Sequence, residues 1–158
     1  MTRYIVKRFW QGLISLFILG IIPLLALVRG QIIINGRAYD VHLMATGSLL
    51  SLLGFQIANL GIIAKAYSLS QRFVVRDKVI EFLYHKFTLG KGLLVGIVLF
   101  LLGFVPALVV VINWARSNFG PLNEIRRLLV ASYFMIVGVQ VLFSSLIASI
   151  MVIRHSEK

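Results

Sequence analysis

The residues best placed to do chemistry in this chain are basic ones. Arg72, Arg76, Lys78, Lys86 and Lys91 fall in one stretch, interleaved with Val75, Val79, Ile80, Phe82, Leu83 and Phe87. Cations spaced among apolar side chains fit an amphipathic helix lying in a membrane interface. At headgroup depth such groups face a low dielectric on one side, so they neutralise a phosphate more effectively than in bulk water. Arg72, Arg76, Lys86 and Lys91 are therefore candidate ligands for a lipid phosphate, with ordinary headgroup contact as the simpler alternative. Other chemistries have little material. With no Cys there is no thiol nucleophile, thiolate ligand or disulfide. Asp40 and His42 are two possible metal ligands without a third, which favours capping or hydrogen bonding. His85 and His155 stand alone. No catalytic residue, metal site or cofactor is expected.

The elements that must position those cations follow from where charge is missing. The chain has 158 residues, 59% of them hydrophobic and 13% charged, with a mean hydropathy of +0.96. Too little charge is present to cover a soluble globule. Residues 9–28, 41–64, 92–115 and 128–153 contain no Lys, Arg, Asp or Glu. Each run is long enough to cross the hydrocarbon core as a helix, which takes about 20 residues at ~1.5 Å rise. The loops left over are short, the longest being 65–91. A soluble catalytic domain needs about 100 residues of its own core, so the chain is expected to be a single transmembrane domain over 1–158.

Lys and Arg set the orientation. Eleven lie in the N-terminal segment, the second loop and the C-terminal tail, against five in the first and third loops. The positive-inside rule then puts both termini and loop 65–91 in the cytoplasm. Tyr4, Phe9, Trp10 and Tyr67 fall at one expected water boundary, and Tyr39, Trp114 and Tyr133 at the other. The first apolar run is too long for a signal-peptide core, and Ala26-Leu27-Val28-Arg29 lacks a small-x-small cleavage pattern. The net charge of +11 is concentrated on the cytoplasmic side, which indicates anionic lipid headgroups as partner and no nucleic acid.

The two halves resemble each other. Leu19-Gly20-Ile21-Ile22-Pro23 aligns with Leu102-Gly103-Phe104-Val105-Pro106, and Gly54-x-Gln56 with Gly138-x-Gln140. An internal repeat of 9–64 and 92–148 follows, as two helical hairpins in tandem related by an axis along the membrane normal. The repeat exposes matching small-residue stripes, Gly47, Gly54 and Gly61 in the second span and Ala131, Gly138 and Ser145 in the fourth, which suit close helix packing in lipid. Pro23 and Pro106 lie inside their spans and are expected to kink them.

Polar residues within the spans are few. Gln56 and Asn59 share a face of the second span, and Gln140, Ser144, Ser145 and Ser149 form a track in the fourth. Interhelical hydrogen bonding is the favoured reading, a polar path the alternative. No ionisable side chain lies deep in a span, which argues against a coupled pump or ion channel. In the first loop, Ile32 to Tyr39 around Asn35-Gly36 predicts a short hairpin, because Asn-Gly tolerates the positive φ of a tight turn.

Three segments together resemble a known family: Leu53-Gly54-Phe55-Gln56 on to Ala64-Lys65-Ala66-Tyr67; Phe87-Thr88-Leu89-Gly90-Lys91-Gly92; and Phe119-Gly120-Pro121-Leu122 followed by Gly138-Val139-Gln140-Val141-Leu142-Phe143-Ser144-Ser145. The chain is similar over most of residues 10–153 to the membrane tail of bacterial polyisoprenyl-phosphate glycosyltransferases, the dolichyl-phosphate sugar synthase-like group. In that family the spans follow a cytoplasmic catalytic domain with acidic metal-binding motifs. Those motifs have no counterpart here. The catalytic half is then a separate polypeptide, or the tail serves another purpose, or the chain is a fragment.

The expected fold class is an all-α membrane protein of four transmembrane helices, arranged as two tandem hairpins with a cytoplasmic interfacial helix. The expected function is a non-catalytic module of the bacterial inner membrane. It would anchor or assemble with a protein partner, a glycosyltransferase acting on polyprenyl phosphate. The alternatives are an accessory structural subunit of a larger membrane complex and a small flippase for lipid-linked sugars.

Overall fold

The computed structural model describes residues 2–70, 89–120 and 124–156. Four long helices account for almost all of them: α1 (Thr2–Ala26), α2 (Val41–Ser70), α3 (Leu89–Arg116) and α4 (Ile125–Ser156). The apolar stretches Val41–Ala64, Gly90–Arg116 and Ile125–Ile147 are each long enough to cross a membrane, and α1 carries the shorter apolar segment Ile14–Ala26. The helices overrun the uncharged runs because flanking Lys and Arg are good helix formers. The basic start of α1 and residues 62–70 of α2 contain no Gly or Pro to stop them. The expected interfacial helix of loop 65–91 falls mainly on residues outside those described.

Two helix ends show a local cause. The Asp40 carbonyl accepts from the Leu43 and Met44 amides, opening α2. At the end of α3, Asn118 and Phe119 take φ of 53° and 59°, and the Phe119 amide reaches back to the Trp114 carbonyl. The Trp114 indole donates to the Gly120 carbonyl at 3.1 Å and meets the Phe119 ring edge-on at 5.0 Å between centroids, fixing a turn that non-glycine residues seldom adopt.

Between α1 and α2 the chain forms the expected hairpin. Strands β1 (Ile32–Ile34) and β2 (Arg37–Tyr39) pair antiparallel, with Ile32 opposite Tyr39 and Ile34 opposite Arg37. Asn35 and Gly36 make the turn at φ of 50° and 73°, the left-handed pair that a two-residue hairpin requires.

The helices pack as two antiparallel pairs, α1 with α2 and α3 with α4, joined along α2 and α4. Contacts of Asp40 with Arg126 and of Ser51 with Tyr133 show that α2 and α4 run parallel. Leu24, Leu27, Met44 and Tyr133 are buried together, flanked by Tyr39, Leu52, Leu129, Val130 and Val137. This core lies toward the β-hairpin end of the bundle.

Candidate functional site

Helix contacts are closest where side chains vanish. A Cβ on Gly20 would lie 2.5 Å from the Gly47 carbonyl oxygen and 2.8 Å from the Ser51 Cα, and one on Gly47 would lie 2.7 Å from the Gly20 carbonyl oxygen. Each glycine thus points a Cα–H at the other's carbonyl, a weak attraction available only at this separation. The ring of Pro23 fills the notch beside Gly47. In the other pair Gly103 meets the Ala131 carbonyl and the Met135 backbone, Gly138 the backbone of Phe100, and Gly96 the Leu142 side chain. Gly54, Ala131 and Ser145 are buried, and Gly61 is half-buried.

The polar positions behave differently from one another. Gln56 is exposed, while Asn59 and Gln140 are half-buried, and no hydrogen bond joins the three among the described residues. The Oε1 of Gln140 is buried without a partner. Ser144 and Ser145 donate to the carbonyls of Gln140 and Val141 at 2.7 and 2.8 Å, so these hydroxyls satisfy themselves on their own helix and do not bridge to another. One polar link between the pairs is instead a buried hydrogen bond of 2.8 Å between the hydroxyls of Ser51 and Tyr133. Tyr133 is 5% exposed, so it belongs to the helix interface and not to the boundary belt expected from the sequence.

At the β-hairpin end, Arg126 on α4 forms an ion pair with Asp40, which stands just before α2. The guanidinium holds the Asp40 carboxyl below its ordinary value of 3.8. Asp40 therefore ties one helix pair to the other, and its neighbour His42 is exposed. Among the described residues no group of three His, Cys, Asp or Glu could hold a metal ion.

Of the four candidate phosphate ligands, Lys91 is exposed in the first turn of α3. The antiparallel pairing of α3 with α4 puts it at the end of the bundle opposite the β-hairpin, where α2 also terminates. Arg72, Arg76 and Lys86 lie outside the described residues.

Apolar helices of spanning length in paired hairpins define an all-α, multi-pass membrane protein. Residues 62–152, more than half of the chain, match the glycosyltransferase family 2 C-terminal transmembrane region, and the chain belongs to that family. No curated protein and no solved structure matches it. The match runs from the second half of α2 through the basic loop and across α3 and α4.

Proposed function

We propose that this chain is the membrane module of a glycosyltransferase system that charges polyprenyl phosphate, holding the enzyme at the membrane and contributing no catalytic group of its own. The observation that carries this reading is the family match, which takes in the basic loop together with the two spans that follow it. In this reading the module sits in the bacterial inner membrane with both termini and loop 65–91 in the cytoplasm, an orientation that the bias of Lys and Arg toward those segments supports. Arg72, Arg76, Lys86 and Lys91 are the residues this reading assigns to the carrier lipid's phosphate. Charge-assisted contacts of this kind are strong where one side of the ligand is apolar.

The test is direct. Purified chain is titrated with radiolabelled polyprenyl phosphate in detergent, beside the variant with all four residues changed to Gln. Loss of binding by about tenfold or more is expected, since each charge near an anionic surface contributes about 1 kcal/mol. Equal affinity removes the site.

The tandem repeat belongs to the same reading. Gly20 against Gly47 and Ser51 matches Gly103 against Ala131 and Met135, offsets of 83 and 84 residues apart. This equivalence supports a duplicated hairpin as the unit from which the module is built.

A further inference from the structure

The lipid-facing surfaces of the described helices are not alike. On α3 the exposed side chains from Leu94 to Ile112 are apolar, and so are those on α4 from Leu128 to Ile147. On α2 the exposed line instead carries a carboxamide. Thr46, Leu49, Leu53, Gln56 and Leu60 are exposed and follow one another at steps of three and four residues. That spacing is a heptad seam, the pattern by which two helices interlock over a long contact. The opposite face of α2, with Gly47, Ser51 and Gly54, is already buried in the bundle. Gln56 sits about 22 Å along the helix from Val41 at ~1.5 Å per residue, well inside the hydrocarbon. The equivalent Gln140 of α4 has its Oε1 buried in the bundle. A primary amide turned toward lipid has no water to bond, so it selects for a partner.

We propose that the chain self-associates through this face of α2, with Gln56 of one copy bonded to Gln56 of the other. The occupant follows from chemistry and symmetry. A carboxamide carries both a donor and an acceptor, so two of them across a two-fold axis satisfy each other. All copies insert with the same orientation, so α2 meets α2 in parallel and Gln56 falls opposite Gln56. The leucines around it are equally self-complementary, and no acidic or basic side chain lies on the line between Thr46 and Leu60 that would call for an oppositely charged partner. One polar layer in an apolar seam also fixes register, because a slip of one turn leaves both amides against leucine.

The full chain, reconstituted in phosphatidylethanolamine and phosphatidylglycerol vesicles, provides the test. Energy transfer between donor- and acceptor-labelled copies should show saturable association, and Gln56→Leu should raise the dissociation constant roughly tenfold, in keeping with two interhelical hydrogen bonds lost. The substitution adds an apolar side chain on an exposed face and leaves the packed face of α2 intact. Because the chain has no Cys, Leu53→Cys and Leu60→Cys should each give disulfide-linked dimers on oxidation, and Phe143→Cys on α4 should not. Unchanged association of Gln56→Leu, cross-linking through α4 as readily as through α2, or absence of any cross-link at Leu53→Cys and Leu60→Cys would overturn the proposal.

Discussion

Asp40 opens α2 with its carbonyl and closes the gap to α4 with its carboxylate. Because Arg126 lowers its pKa in the fold, the carboxylate's contribution to stability has a definite sign. It is fully present above the ordinary value of 3.8 and is lost as pH falls through the depressed folded value. The melting temperature of Asp40→Asn in detergent should therefore fall below that of the parent at pH 7, and the gap should close as pH falls through the depressed value of the folded carboxylate. A gap that persists in acid would mean that the ion pair is not its source. The sequence indicated a hydrogen-bonding or capping role for Asp40, since two potential ligands cannot make a metal site. It gave no hint of Arg126 as partner, because a charge pair 86 residues apart leaves no local pattern. Ser51 and Tyr133 were hidden for the same reason, and a tyrosine near a span boundary resembles a belt residue until its neighbours are known.

Among the elements, the packed helix pairs depend on glycine at chosen places and not at others. A Cβ on Gly103 would run into the backbone of Ala131 and lie 2.6 Å from the Met135 amide nitrogen, whereas a Cβ on Gly12 meets nothing within 4 Å. Gly103→Ala should cost about 1–3 kcal/mol, because backbone cannot move aside as a flexible side chain can. Gly12→Ala should be neutral or stabilise by up to about 1 kcal/mol through lower backbone entropy. Unfolding in mixed micelles measures both, and a Gly103→Ala variant as stable as the parent would show that α3 and α4 are not held at this distance. Element identity was plain in the sequence: four uncharged runs and one Asn-Gly turn became four helices and one hairpin. Helix ends were not, since charge marks the edge of a span while the helix itself continues until a turn interrupts it.

For the whole molecule, the two helix pairs are joined by the seam between α2 and α4, with Ser51–Tyr133 and Asp40–Arg126 as its polar contacts. Co-expressed fragments 1–80 and 81–158 should copurify from membranes as a complex, and Tyr133→Phe together with Arg126→Ala should abolish recovery. Recovery unaffected by these changes would mean that apolar contact alone unites the halves. The four uncharged runs made the helices of the architecture legible, but the seam depends on which faces meet, and a uniformly apolar surface records that poorly.

The same seam gives the molecule a mechanical grain. Within each pair, glycines lock backbone against backbone, so each pair behaves as a stiff plate; between the plates run side chains, which yield sooner. When the bilayer thins or thickens around it, this join is where the plates are expected to yield first. A change in bilayer thickness is then expected to read out as a tilt of one helix pair against the other.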